Sequence, residues 1–508
     1  VYPVFVATRL DLDLDLDLDV FVGPFDLLLS IVLREEVSLL EVELGEIVAS
    51  YVTHLEEKGE LDLEVATEFL VLVASLLELK SRMLLPPDHD PQEDDESFEE
   101  EDPRIELVEK NIQPDADKVI RADGCLVMPG LVNTHAHLPM VCFRGLADDL
   151  TLMDWLENHI FPMEARFVDK IMAHDGAMLA IAEMILSGTT TVCDGYFFEN
   201  HIASAIQSCG MRAVVAQGFA DFATPDNTGR EKIISTAERF VRRWKQYAPL
   251  VTPAFFCHSA YTCSPQTLVA VKAAARDAGV QYMLHLMEHE EEARTIESRY
   301  GRKPVPHLLE LGVLDSETVA VHCNWLSPED IKVFASQGVR VSHNPASSMK
   351  LAAGVAPIPQ MLSRGIPVGL GTDGAASNNT LDMFQEMNLA AKIHKAVSLD
   401  PTAMSAADVV RMATIEGARV LGLDNLIGSI EVGKLADIII LDMNQPHLTP
   451  LYNPYSQLVY AARGADVITS IIDGKIVMEN RRLLTIDPAT AMQNVLNIAA
   501  RIASEDKP

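Results

Sequence analysis

The segment Pro129-Gly-Leu-Val-Asn-Thr-His-Ala-His-Leu-Pro-Met140 decides the fold. It is an apolar run that ends in two histidines one residue apart, His135 and His137. Alternate side chains of a strand lie on the same face, so both imidazoles can point the same way. At the end of a buried strand this pair supplies half of a metal site. Two structural histidines are the alternative for a lone motif of this kind, and the rest of the chain decides between them.

From Ile112 onward, apolar strands alternate with helical stretches, and the helices carry start and stop signals such as Ser327-Pro328 and Gly338. Eight strand candidates end in polar residues, near His135, Asp194, Gln217, His258, His285, His322, His343 and Asp373. Eight such units in about 250 residues predict an α/β fold, a (β/α)8 TIM barrel with its chemistry at the carboxyl ends of the strands. A doubly wound open sheet is the alternative, but it should not place histidines at five separate strand ends.

After the barrel, Gly428 to Asp442 and Val467 to Val477 predict short strands, with a hairpin turn at Asp473-Gly474. A last helix is expected from Ala489 to Ser504. The predicted domains are a mostly helical N-terminal segment at 1–87, an acidic linker at 88–111, a small β domain at 112–128 and 428–485, the barrel at 129–427, and a C-terminal helix at 486–508.

Charge and cysteine usage limit the classes of function. The chain has 508 residues and a net charge of −34, and its first 110 residues hold 30 acidic and only 7 basic side chains. This uneven charge predicts two parts of the chain with different origins. The negative net charge argues against binding to nucleic acid, whose backbone is also negative. No apolar run is long enough to span a bilayer. Seven scattered cysteines without a CxxC pair predict a reduced, cytoplasmic protein.

A catalytic zinc-type site needs three or four nitrogen or oxygen ligands. The candidates are His135 and His137 on the first barrel strand, His285 on the fifth and Asp373 on the eighth. His322 ends the sixth strand, and Glu288 lies three residues after His285, so both can reach the same barrel mouth. We therefore expect metal-dependent catalysis with one divalent ion, zinc or else iron or manganese.

These residues lie in motifs that resemble the amidohydrolase superfamily over about residues 112 to 485. The motifs are Val132-Asn-Thr-His-Ala-His137, Ala320-Val-His-Cys323, Val341-Ser-His-Asn-Pro-Ala346, Lys350-Leu-Ala-Ala-Gly354 and Gly371-Thr-Asp-Gly-Ala-Ala-Ser-Asn-Asn379. More closely, they resemble the deaminases of 5-methylthioadenosine and S-adenosylhomocysteine. The resemblance implies metal ligands at His135, His137, His285 and Asp373, catalytic roles for Glu288, His322 and Asp373, and nucleoside contacts from Trp155, Glu164, His258 and Glu288.

The implied reaction is hydrolytic deamination of an adenine nucleoside, methylthioadenosine, S-adenosylhomocysteine or adenosine, to the inosine analogue and ammonia. The resemblance also implies two arginines for the carboxylate of S-adenosylhomocysteine. Arg230 matches one, but Gln217 stands at the other position. Glutamine cannot form the charge-assisted, bidentate hydrogen bonds that arginine makes to a carboxylate. Recognition of the substrate carboxylate is therefore expected to be weaker. Guanine deaminase and triazine hydrolase are the alternatives within the superfamily.

Residues 20 to 110 resemble a different family, the N-terminal region of segregation and condensation protein A, the bacterial kleisin. The resemblance rests on Val20-Phe-Val-Gly-Pro-Phe-Asp-Leu-Leu-Leu29, Leu61 to Leu70 and Leu79 to Pro86. It implies contact with the neck of a condensin ATPase, and hence a rival function as an interaction protein. This segment stands where the amidohydrolase family has further β-domain strands, so the C-terminal strands are expected to show an unpaired edge.

We also expect the protein to form a homo-oligomer.

Overall fold

The computed structural model describes residues 118–226 and 232–505. The kleisin-like segment, the acidic linker and Arg230 lie outside the described residues. Within them, thirteen strands and sixteen α-helices alternate along most of the chain. No described helix is long and apolar enough to cross a membrane.

Eight strands follow one another in parallel, each paired with the next in chain order. They are β2 (Leu131–Ala136), β3 (Thr189–Tyr196), β4 (Arg212–Phe219), β5 (Val251–Ser259), β6 (Tyr282–Leu286), β7 (Thr318–His322), β8 (Arg340–His343) and β9 (Val368–Leu370). The two ends of this sheet lie close together, because the N–H of Asp373, just after β9, donates to the carbonyl of His135 in β2 at 2.9 Å. The predicted barrel is therefore confirmed, and the open sheet is excluded.

Alternate residues of the barrel strands fill the interior. Val132, Val214, Ala254 and Val319 belong to one buried cluster inside the barrel. The residues between them in sequence pack outward against the helices, as the period of two in a strand requires. Most residues of the eight strands are buried, and apolar residues predominate in β4 to β7. β3 is an exception, because it begins with three buried threonines, Thr189, Thr190 and Thr191.

The helices surround this barrel. They are α1 (Leu152–Asp154), α2 (Phe161–Phe167), α3 (Lys170–Leu186), α4 (Glu199–Cys209), α5 (Ile233–Trp244), α6 (Pro265–Ala278), α7 (Glu290–Tyr300), α8 (Pro304–Glu310), α9 (Pro328–Gln337), α10 (Pro345–Lys350), α11 (Ile358–Leu362), α12 (Met383–Ser398), α13 (Ala406–Met412), α14 (Ile415–Val420), α15 (Pro454–Tyr460) and α16 (Pro488–Glu505). A π-helical stretch, Trp155–Ile160, joins α1 to α2. The predicted capping holds at α9, where Ser327 and Asp330 form a capping box and Gly338 ends the helix with φ +73°.

The remaining strands form an antiparallel sheet beside the barrel. Its order is β1 (Cys125–Pro129), β10 (Ile438–Asp442), β11 (Val467–Ile472), β12 (Lys475–Glu479) and β13 (Arg482–Leu483). Asp473 and Gly474 form the predicted two-residue turn, and both have positive φ, as a type I′ hairpin needs. Residues 118–124 form no strand. Among the described strands, β1 pairs with β10 alone and forms one edge of this sheet.

Candidate metal centre

The two histidines of the opening motif lie together at the carboxyl end of β2 and are both buried. His137 Nδ1 lies 2.6 Å from the carbonyl oxygen of Gly195. A carbonyl only accepts, so Nδ1 carries the proton and Nε2 is left with its lone pair. The Nε2 atoms of His137 and His135 each lie 3.4 Å from Asp373 Oδ1. Both imidazoles therefore aim at one carboxylate oxygen.

Asp373 follows β9 in a left-handed conformation, with φ +62°. Its Oδ1 accepts from the N–H of Gly374, and its Oδ2 accepts from the hydroxyls of Ser347 and Ser377 at 2.6 and 2.9 Å. Although burial opposes its ionisation, the hydrogen bond from His135 and the nearby imidazoles hold the Asp373 pKa well below its usual value. The carboxylate is therefore ionised and fixed in orientation.

His285 and His322 complete the cluster from β6 and β7. His285 Nε2 lies 3.2 Å from His135 Nε2. Burial lowers the pKa of His135 to about 4 and that of His322 to about 3, and burial together with the neighbouring imidazoles holds the His285 pKa well below its usual value. Neutral imidazoles and an ionised carboxylate are the forms that bind metals.

Three overlapping groups among the described residues have the spacing of a metal site. They are His135, His285 and His322; His135, His137 and Asp373; and Glu288, His322 and Asp373, with the ligand atoms of each group within 4.8 Å of one another. Three nitrogen ligands and one carboxylate suit zinc and similar divalent cations. The predicted donor set therefore fits a divalent cation.

Glu288 lies just beyond β6 and reaches the same place, with Oε1 3.7 Å from His322 Nε2. Burial, followed by the charges of Asp373 and Glu292, raises its pKa well above the usual value of a glutamate. Met287 before it, and His322 opposite, both have positive φ. Strained backbone of this kind concentrates at functional sites, where the surrounding packing maintains it.

A cavity opens directly over these side chains. Aromatic and aliphatic side chains make most of its wall, as is usual for small-molecule sites. The predicted substrate residues Trp155, Glu164 and His258 line it together with His137, His285, Glu288, His322 and Asp373. The structure thus brings together every predicted site residue except two, Gln217 and Arg230.

Gln217 is buried and does not line the cavity. Its side-chain N–H groups donate to Asp226 Oδ2 at 3.1 Å and to the carbonyl of Gly218 at 3.2 Å. It points outward from the barrel because it alternates with Ala216 and Gly218 on β4. Arg230 lies outside the described residues, so its position relative to Gln217 stays a prediction.

Three substrate candidates carry polar atoms suited to a ligand. Trp155 Nε1 is buried and has no hydrogen-bond partner in the described part of the chain. Glu164 accepts a hydrogen bond from the Tyr196 hydroxyl at 2.7 Å, and burial raises its pKa to about 7 despite that bond. His258 Nδ1 is 3.1 Å from Thr262 Oγ1, and burial lowers its pKa to about 4.

Sequence reasoning missed the residues that hold these groups in place. Ser347 and Ser377 orient Asp373, and Tyr196 orients Glu164. Asp194 accepts from the N–H of Leu138 and so fixes the chain just after His137. Ser377 lies inside the motif from Gly371 to Asn379, and Asp194 was identified as a strand end. Nothing in the pattern of the sequence marked either one as a partner of the site.

Comparisons with known proteins agree with this geometry. The model of the amidohydrolase family matches residues 126–477. A 5-methylthioadenosine/S-adenosylhomocysteine deaminase of Syntrophobacter fumaroxidans is 50% identical over 387 residues, which is 76% of this chain and 88% of the relative. A 5′-deoxyadenosine deaminase of Methanosarcina mazei is 44% identical over 406 residues, 80% of this chain and 92% of the relative.

A solved structure points the same way. The crystal structure of an adenosine deaminase from Xanthomonas campestris with bound zinc superposes with a TM-score of 0.74 at 38% identity, covering 75% of this chain and 87% of the other. The model of segregation and condensation protein ScpA matches residues 31–119, a shorter stretch. The barrel, its cluster of polar residues at the strand ends and the match over residues 126–477 lead to one conclusion: the chain belongs to the amidohydrolase family.

Proposed function

We propose that the barrel is a metal-dependent aminohydrolase that converts an adenine nucleoside to its inosine analogue and ammonia. The observation that carries the proposal is the convergence of histidines from three strands with Asp373 and Glu288 on one cavity floor. Its substrates are 5-methylthioadenosine, S-adenosylhomocysteine or adenosine. Relatives at 44–50% identity that are deaminases of methylthioadenosine, S-adenosylhomocysteine or 5′-deoxyadenosine support this class.

In this proposal His135, His137, His285 and Asp373 hold the cation. When bound, a divalent cation supplies a water that is activated for attack at neutral pH. The protein's own contribution is to fix the four side chains. The Gly195 carbonyl sets the tautomer of His137, and two serine hydroxyls set the rotamer of Asp373. Partners of this kind orient ligands and tune their basicity.

Glu288 and Asp373 then divide the proton transfers. The raised pKa of Glu288 favours its protonated form, so this side chain can donate a proton to the ring nitrogen next to the amino group. The lowered pKa of Asp373 favours its ionised form, so this carboxylate can take a proton from the attacking water and pass it to the departing ammonia. His322, 3.7 Å from Glu288, faces both groups and can orient the attacking oxygen. Two carboxyls with pKa values pushed apart supply an acid and a base.

The cavity wall suits a nucleoside. Trp155 Nε1 is a buried donor that a substrate atom can satisfy, and an unsatisfied buried donor costs about 1–3 kcal/mol. Glu164 offers a carboxyl for sugar hydroxyls, and His258 adds a neutral imidazole beside His285. The apolar side chains around them limit the access of bulk water to the substrate ring.

Ammonia release by the purified, metal-loaded protein tests the proposal. The substrates are methylthioadenosine, S-adenosylhomocysteine, adenosine and guanine. We expect release from the adenine nucleosides and none from guanine. Release from guanine alone would favour the guanine deaminase alternative, and release from none of the four by a metal-loaded protein would overturn the proposal.

A second function is proposed for residues 20 to 110, namely contact with the neck of a condensin ATPase. The match of the ScpA model to residues 31–119 supports it. Pull-down of the full chain with a condensin ATPase neck tests this contact, and failure to retain the neck would contradict it.

We also propose that the protein works in the cytoplasm as a homo-oligomer. All seven cysteines are free thiols, which supports a reducing compartment.

A further inference from the structure

The segment that carries Glu288 leaves β6 in a left-handed turn and enters α7 directly afterwards. Met287 has φ +52°, a conformation that residues other than glycine rarely adopt, and His289 is the N-cap of α7. Glu288 therefore lies outside the regular hydrogen bonding of both the strand and the helix. The direction of its side chain depends on the contacts that hold its two peptide groups.

The turn after β7 holds the carbonyl side of this segment. The N–H of Trp325 donates to the carbonyl of Met287 at 3.3 Å, and the side-chain amide of Asn324 donates to the carbonyl of Glu288 at 3.0 Å. Asn324 is itself held by Ser348, whose hydroxyl donates to its Oδ1 at 3.2 Å. The peptide group after Glu288 is therefore fixed.

Glu292 holds the opposite side, the N–H of Glu288. Its Oε2 accepts from that N–H at 3.3 Å. Burial raises the pKa of Glu292 to about 8, although the backbone N–H groups of Glu288 and Met287 favour the ionised form. The peptide groups on both sides of the Glu288 Cα are thus bound, and this fixes the direction in which the Glu288 side chain leaves the backbone.

Burial distinguishes Glu292 from an ordinary acidic residue at a helix N-terminus. α7 begins with three glutamates, of which Glu290 and Glu291 are exposed and already place favourable charge at this end of the helix. Glu292 is only 5% exposed, and its Oε1 has no hydrogen-bond partner among the described residues. Burial of a carboxyl in this way costs free energy. Helix capping alone does not account for that cost.

We propose that Glu292 is a positioning residue for catalysis, which holds the backbone of Glu288 so that the Glu288 carboxyl faces the substrate ring. The inference rests on the proposed function and deepens it. Glu292 does not line the cavity over the metal centre, and it belongs to none of the groups with metal-site spacing in the described part of the chain. Its effect on the reaction should therefore pass through Glu288.

The test measures kcat with methylthioadenosine for the metal-loaded full chain and its variants. Glu292→Ala removes the acceptor for the Glu288 N–H, and because a misplacement of about 1 Å can cost about 100-fold, we expect kcat to fall by about 10- to 100-fold. KM should stay within about threefold, since the contact acts on the reacting group and not on binding. Metal content should be unchanged. Glu292→Gln keeps an acceptor oxygen and should restore kcat to within about threefold of wild type.

Two controls separate positioning from loss of a helix cap. Glu291→Ala removes an exposed carboxylate from the same turn of α7 and should leave kcat unchanged. Ser405→Ala removes the exposed N-cap of α13, where the Ser405 hydroxyl accepts from the N–H of Asp408, and should lower Tm without lowering kcat. If Ser405→Ala lowers kcat as far as Glu292→Ala does, general loss of stability explains the effect and the inference is overturned.

The same substitution in the Glu288→Gln background identifies the route of the effect. If Glu292 acts through Glu288, Glu292→Ala should lower kcat there by less than about twofold, because the group that it positions is already lost. A loss as large as in the wild-type background would show that the two residues act independently, and it would overturn the inference. An unchanged kcat in the single variant Glu292→Ala would overturn it as well.

These outcomes are distinguishable from failure of the proposed function, because each is measured against a wild type that releases ammonia. Absence of ammonia from every adenine nucleoside with the wild-type protein would be that failure. It would remove this inference with it.

Discussion

The Ser347 hydroxyl donates to Asp373 Oδ2 at 2.6 Å, so one oxygen of this carboxylate is held by the protein while the other faces His135 and His137. Ser377 adds a second hydroxyl to the same oxygen at 2.9 Å. A carboxylate that could rotate would present either oxygen to a cation. The two serines remove that freedom before any metal binds.

Ser347→Ala should therefore weaken metal binding. Outer partners of metal ligands typically contribute about 10- to 100-fold in affinity, and we expect a loss in this range. Competition with a chelator, read as metal retained per chain, measures it. Ser348→Ala is the matched control, because Ser348 is buried beside Ser347 but bonds to Asn324 and not to Asp373. Equal metal affinity in wild type and Ser347→Ala would contradict the positioning role.

Glu288→Gln should separate catalysis from metal binding. The amide keeps the size of the side chain but cannot donate a proton as an acid, so kcat should fall by about 10²- to 10⁴-fold. Metal content should be unchanged, because Glu288 is not one of the four proposed ligands. Glu291→Gln, an exposed neighbour in the first turn of α7, should retain full activity. Near wild-type turnover by Glu288→Gln would show that another group donates the proton.

Glu164 should make the stability of the protein depend on pH. Burial raises its pKa from 4.5 to about 7, so the folded protein binds this proton more tightly than the unfolded chain does. Its contribution to the free energy of unfolding is then fully present below pH 4.5 and is lost as pH rises to about 7. Glu164→Gln should reduce the difference in Tm between pH 5 and pH 8. The exposed Glu297→Gln serves as control, and an unchanged difference in Glu164→Gln would refute the burial argument.

Arg212 ties the barrel to the five-stranded sheet. Its guanidinium is buried and donates to Asp437 twice, at 2.6 and 2.9 Å. Asp437→Asn leaves the buried cation without its main partner, and such a change costs about 3–5 kcal/mol of unfolding free energy. Urea unfolding measures the loss. Asp473→Asn removes the longer and more exposed contact, at 3.3 Å, and should cost about 1 kcal/mol or less. Equal effects of the two substitutions would contradict this assignment.

The barrel and the cluster of polar side chains at its strand ends were predictable because their signal is local. His135 and His137 are fixed by strand alternation, and His285, His322 and Asp373 by their place at or just after strand ends. The positioning groups were not, because Ser347 and Tyr196 meet their partners through tertiary folding alone. Gln217 shows the same limit. Its position came from resemblance, but its outward direction and its bonds to Asp226 and Gly218 depend on packing.

The most direct test of the central claim is metal content and ammonia release measured together on wild type and His285→Ala, with methylthioadenosine as substrate. The account predicts about one divalent cation per chain and turnover in the wild type, and loss of both in the variant. His289→Ala is the control. His289 is partly exposed, caps the N-terminus of α7 and belongs to none of the groups with metal-site spacing. A His285→Ala protein that keeps its metal and its activity would contradict the proposed centre.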